Sequence, residues 1–136
     1  RLDGRLFLQK RGLHKQESPG LWDSSVAGHV DAGETYDACC VREIEEEIGI
    51  RMEEMPKRLF KLVASPQTGM EFCWVYRLVT DLELALDYTE IETGQWFAQA
   101  QVDQWLRDSA EDFAESFRTI WHRFSQCKEV DVVEYV

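Results

Sequence analysis

Glu43, Glu46 and Glu47 occupy positions i, i+3 and i+4 of the stretch REIEEEIGI, a spacing that puts three carboxylates on one face of a helix. Like charges so placed cost roughly 0.2–0.5 kcal/mol per pair, and acids in a last helical turn oppose the macrodipole by roughly 0.3–1 kcal/mol each. The compensation comes from protein cations or from bound metal ions. Arg42 reaches Glu46 at i+4 and covers one charge, and oxygen-only ligands suit hard divalent cations such as Mg²⁺ or Mn²⁺. The bland alternative is a solvated acidic face.

The element that must carry these side chains is a helix from Thr35 to Ile48. Thr35 is a natural N-cap, Tyr36, Cys40, Val41, Ile44 and Ile48 recur on one face, and Gly49 is a natural stop. Upstream, RLDGRLFLQKRG reads as the end of a strand, an Asp3-Gly4 turn and a second strand with Leu6 and Leu8 on one face, so the first strand is expected to be cut short. The polar stretch GLHKQESPGLW is a loop punctuated by Pro19-Gly20, and WDSSVAGHV a short strand entering a turn.

Downstream, RLFKLVAS and MEFCWVYRLVT are expected strands, the latter apolar on both faces like a central strand. An acidic loop, DLELALDYTEIETG, leads to a short strand at QWFA and a helix around Val102 to Arg107. Phe113, Phe117, Ile120, Trp121 and Phe124 mark a final amphipathic helix whose stripe reads as core, a possible lid or a homodimer face. The pattern is a single α/β domain over 1–136, a mixed sheet between helices.

Composition bounds the function. A formal net charge of -11 argues against a broad phosphate-backbone interface, so polymeric nucleic acid is not an expected partner. A small anionic, phosphate-containing metabolite still fits if dications neutralise the local field. With 44% hydrophobic residues, no membrane-spanning run and no signal-peptide pattern, the chain reads as globular and cytoplasmic. The cysteines Cys39, Cys40, Cys73 and Cys127 lack zinc spacing and read as reduced thiols.

The acidic run is part of a longer pattern. Gly28, Glu34, Arg42, Glu43, Ile44, Glu46, Glu47, Gly49 and Ile50 reproduce G-x5-E-x7-R-E-U-x-E-E-x-G-U, with U aliphatic, which is the Nudix box. From average residue usage, a chance match at a given start is on the order of 10⁻¹⁰. The chain therefore resembles the Nudix hydrolases, which cleave diphosphate linkages with Mg²⁺ or Mn²⁺. That resemblance implies an α/β/α sandwich, divalent ions held by Glu43, Glu46, Glu47 and a backbone carbonyl of Ala27 or Gly28, and Glu34 and Arg42 bracing the box. It implies backbone roles for Gly28 and Gly49, and a proton acceptor either in the box or outside it, where Glu90 and Glu92 are the candidates and Glu90 the preferred one.

LFLQKRGLHKQESPGLWDSSVAGHV is also similar to the isopentenyl diphosphate isomerase branch of the superfamily, in which the residues matching Arg11 and Lys15 hold a diphosphate. His29 matches a metal ligand of that branch. Ala27 stands where the isomerase needs a cysteine, and the box is complete, so hydrolysis is the expected reaction. Isomerisation and a non-catalytic metabolite sensor are the rivals. Trp22, Trp74 and Trp96 either stack on a base or pack the core.

Overall fold

The computed structural model describes residues 1–68 and 70–131, the side chains of 127–131 excepted, so the expectation for the thiol of Cys127 lies outside the described residues. Among the described residues, five strands and three α-helices follow the order β1 (Leu6–Arg11), β2 (Trp22–Asp23), α1 (Tyr36–Ile48), β3 (Lys57–Leu62), β4 (Cys73–Arg77), β5 (Ile91–Phe97), α2 (Gln99–Asp108) and α3 (Glu115–Asp131).

Side-chain alternation along β1 organises the layers. Leu8, with Leu6 beside it, joins Val102, Phe113, Phe117 and Trp121 under α2 and α3. Phe7 points the other way into Ile44, Ile48 and Ile50 under α1. A strand with apolar residues on both faces has to be covered on both, and the helices on either side supply that cover. The expected helix-sheet-helix layering is thus set from β1 outward.

The pairing differs from a mixed sheet in detail. Strands β2-β1-β5 form one sheet and β3-β4 another, with every ladder antiparallel. Parallel pairing among the described residues is an isolated bridge between Trp22 and Phe113. The expected central strand, β4, pairs with β3 alone. Trp74 on this strand lies under the guanidinium of Arg58 at 4.7 Å, with the ammonium of Lys61 at 5.9 Å.

Two boundaries move for physical reasons. β5 begins at Ile91, inside the stretch expected to be an acidic loop, because Ile91 is wholly buried and a ladder to β1 outweighs the turn-like composition of Thr93-Gly94. Phe113 lies before α3 with an extended backbone, following a tight turn at Ala110–Asp112, and Ala114 donates to the Trp22 carbonyl at 2.9 Å. The helical repeat therefore starts at Phe117. Trp22 and Phe97 pack edge-on at 5.4 Å, and Phe7 and Trp96 at 5.5 Å, so these two tryptophans belong to the core.

The candidate active site

Helix α1 opens as its residues dictate: the Thr35 hydroxyl accepts from the Ala38 amide at 3.1 Å. It closes on Gly49, whose φ of 71° is left-handed and whose amide donates to the Glu45 carbonyl at 3.1 Å. The segment between β4 and β5 then crosses the helix end. Ala85 donates to the Ile48 carbonyl at 2.9 Å and Asp87 to the Glu47 carbonyl at 3.0 Å. These donors satisfy carbonyls that would otherwise face the acidic last turn. A Cβ on Gly49 would meet that of Ala85 at 2.7 Å, so this close approach requires glycine twice over.

One guanidinium organises the outer carboxylates. Arg42 donates from Nε and Nη2 to the two oxygens of Glu34 at 2.8 and 2.9 Å, and from Nη1 to Glu43 at 2.7 Å and Glu46 at 3.1 Å. The Arg42 hydrogen bond and then the Asp31 amide hold Glu34 down to about 2. Glu34 and Arg42 thus brace the box geometrically. The charge balance corrects the sequence reading, because Arg42 serves two of the three glutamates rather than Glu46 alone.

Nor do the three glutamates share one environment. Glu46 is 57% exposed, whereas Glu47 is only 6% exposed and turned inward. The Gln9 side chain donates to one Glu47 oxygen at 3.4 Å and the Ala27 amide to the other at 3.2 Å. Burial first, and then the charge of Glu43, push Glu47 up to about 7. Among the described residues no group of three or more His, Cys, Asp or Glu side chains is already placed to hold a metal ion.

What is formed is a cradle for two of them. Gly28 lies so close to Glu43 that a Cβ would stand 2.3 Å from the Glu43 carboxyl carbon, and Ala27, its neighbour, contacts Glu47. Only a residue without a side chain lets the 27–28 backbone sit against both carboxylates. An all-oxygen set of Glu43, Glu47 and the adjacent carbonyls, with two negative charges raising each other's cost, fits a hard divalent ion.

Lys15 and Glu90 meet at this site. Their ammonium and carboxylate are in direct contact, and the Lys15 charge is among those that hold Glu47 down against burial. Glu92 pairs instead with Lys10 at 3.6 Å. Arg11 is committed elsewhere: its guanidinium donates to the Glu17 carbonyl at 2.9 Å and to buried Asp23 at 3.3 Å. Of the two basic residues singled out for phosphate, Lys15 pairs with Glu90 and acts on Glu47 through its charge, and Arg11 braces the loop that carries it.

His29 contacts Glu71 at 2.9 Å with both side chains exposed. Cys39 and Cys40 are free thiols pushed up to about 11, first by burial, which makes them poor nucleophiles. Gln9 escaped the sequence reading. A glutamine among apolar residues of a strand, between Leu8 and Lys10, was the available signal.

With that geometry in hand, the chain belongs to the Nudix family: the NUDIX domain model matches residues 1–119. It is 36% identical over 93 residues to an uncharacterized Nudix hydrolase of Pseudomonas aeruginosa, PA4841, covering 68% of this chain and 54% of that protein. It is 30% identical over 101 residues to an isopentenyl-diphosphate Delta-isomerase of Kocuria rhizophila, covering 71% and 56%. The chain thus spans a little over half the length of these relatives. Among solved structures, DR0079 from Deinococcus radiodurans superposes with a TM-score of 0.72 at 27% identity over 92% of this chain and 75% of that one. A MutT NUDIX hydrolase from Burkholderia pseudomallei gives 0.58 at 30% identity, covering 71% and 74%. No helix among the described residues is long and apolar enough to cross a membrane.

Proposed function

We propose that this Nudix hydrolase cleaves the diphosphate linkage of a small organic pyrophosphate, such as a nucleoside diphosphate derivative, with Mg²⁺ or Mn²⁺ bound at the box. The observation that carries the reading is the cradle in which Gly28 and Ala27 lie against Glu43 and buried Glu47. A divalent cation held there by Glu43, Glu47 and the neighbouring carbonyls would supply charge neutralisation for diphosphate oxygens and lower the pKa of water.

The remaining roles fall to the chain itself. Glu43 and Glu47 would hold the cation, while Arg42 holds Glu43 and Glu46 in register with the loop through its fork to Glu34. Lys15 offers the substrate diphosphate a point charge once it parts from Glu90. The proton of the attacking water goes to Glu46 or to Glu90, both accessible carboxylates. Burial of Glu47 excludes it from that task, since both of its oxygens are engaged from inside the protein.

The test is a panel of nucleoside diphosphate sugars, dinucleoside polyphosphates, dNTPs and prenyl diphosphates, assayed with a metal titration. Monophosphate products are expected, with Glu47→Gln abolishing them and Glu46→Gln and Glu90→Gln separating the proton acceptor. Activity that survives Glu46→Gln and Glu47→Gln overturns the metal role. The isopentenyl-diphosphate isomerase among the relatives makes isomerisation the rival. Ala27 offers no thiol for that proton chemistry, and proton exchange from solvent into isopentenyl diphosphate without hydrolysis would restore it.

A further inference from the structure

Gln9 is 2% exposed, in the middle of β1, and nothing in the box pattern requires it. Its side-chain nitrogen donates to the Ser25 carbonyl at 3.2 Å and to Glu47 Oε1 at 3.4 Å. Ser25 in turn donates its hydroxyl to the Phe7 carbonyl on the same strand. Two residues further on, the Ala27 amide takes the other Glu47 oxygen at 3.2 Å. One amide group therefore ties together three parts of the site: the central strand, the loop leading to Gly28, and the buried glutamate of α1.

The chemistry of that tie is selective. A buried carboxylate needs hydrogen-bond donors, and two neutral ones fix its plane without cancelling its charge. A lysine or arginine at position 9 would supply the charge internally and compete with a dication for Glu47. A leucine would leave Oε1 with no partner from the strand and free the carboxylate to rotate. Glutamine orients and leaves the charge available.

We propose that Gln9 is a positioning residue for divalent-cation binding, holding the Glu47 carboxylate and the Ser25–Gly28 loop in one geometry through its shared side-chain amide. This rests on the proposed metal role of the box. Residues that orient a ligating carboxylate are commonly worth about 10- to 100-fold in metal affinity, and the lower end applies to a contact as long as 3.4 Å.

The experiment is a Mn²⁺ titration by calorimetry of the wild type, Gln9→Met, Glu47→Gln and the double variant, each with a thermal melt in chelator. Methionine matches glutamine in length and lacks the donor. Gln9→Met is expected to bind Mn²⁺ about tenfold more weakly, and the double variant to bind no more weakly than Glu47→Gln, because Gln9 acts through Glu47. Wild-type affinity in Gln9→Met, or losses that add in the double variant, overturns the inference. Should Gln9→Met not fold, Gln9→Asn keeps the amide but falls one methylene short and carries the same expectations. A wild type that takes up no Mn²⁺ overturns the metal reading itself, a result distinct from wild-type binding by the Gln9 variants.

Discussion

Arg42 and Glu34 form a two-pronged ion pair, Nε and Nη2 each on a separate carboxylate oxygen at 2.8 and 2.9 Å. The Glu34 pKa of about 2 lies below its ordinary 4.5, so the ionised form is favoured by folding. The stability it contributes is complete above pH 4.5 and disappears as pH falls through about 2. Denaturant melts of Glu34→Gln against the wild type should therefore show a deficit at pH 7 that closes over that window. A deficit unchanged at pH 2 would contradict the pairing.

Glu47 shifts in the opposite sense. Its pKa of about 7 exceeds the ordinary 4.5, so folding favours the protonated form, and that stabilisation is complete below 4.5 and lost as pH rises through about 7. The span corresponds to an upper limit of about 3 kcal/mol. In chelator, the wild type should lose stability relative to Glu47→Gln between pH 5 and 8, and Mg²⁺ should restore it at pH 8. Parallel pH profiles with and without Mg²⁺ would show that nothing binds at this carboxylate.

Two glycine substitutions should separate site from scaffold. Gly28→Ala drives a methyl into the Glu43 carboxyl, a side-chain end that can swing away, so the protein should stay folded while Mn²⁺ affinity falls about tenfold. Gly49→Ala meets the backbone of Ala85 at a φ of 71° and should cost about 1–3 kcal/mol of stability. Melts and calorimetry on both variants check the contrast.

The two basic residues should likewise part company. Arg11→Ala leaves Asp23 buried without its cation and should cost about 3 kcal/mol in a denaturant melt. Lys15→Ala removes a charge near Glu47 and Glu90, so it should tighten Mn²⁺ binding while raising KM for the diphosphate substrate. Equal stability losses in the two would refute the division of labour.

The helix and its caps were legible because Thr35, Gly49 and the spacing between them act locally. The bracing by Glu34 and Arg42 was legible only as what the resemblance to the box implies, and the two-pronged contact agrees with it. The inward turn of Glu47 was not, since helical spacing places Glu43, Glu46 and Glu47 on one face but says nothing of what covers it. That cover comes from Gln9 and Ala27, far away in the chain. The same limit explains β5: Ile91 to Gly94 read as loop until β1 supplies a ladder partner. Arg11 and Lys15 looked equivalent for the converse reason, because only the folded loop reveals Asp23 beside one of them.

The two backbone bonds from Ala85 and Asp87 to the end of α1 also limit where the connection to β5 can vary. An insertion between Ala85 and Asp87 would break the spacing of the two anchors, whereas side-chain changes at Tyr88, Thr89 and Glu90 leave both in place. The three residues 88–90 thus form a short span held at one side by the helix and at the other by the ladder that starts with Ile91.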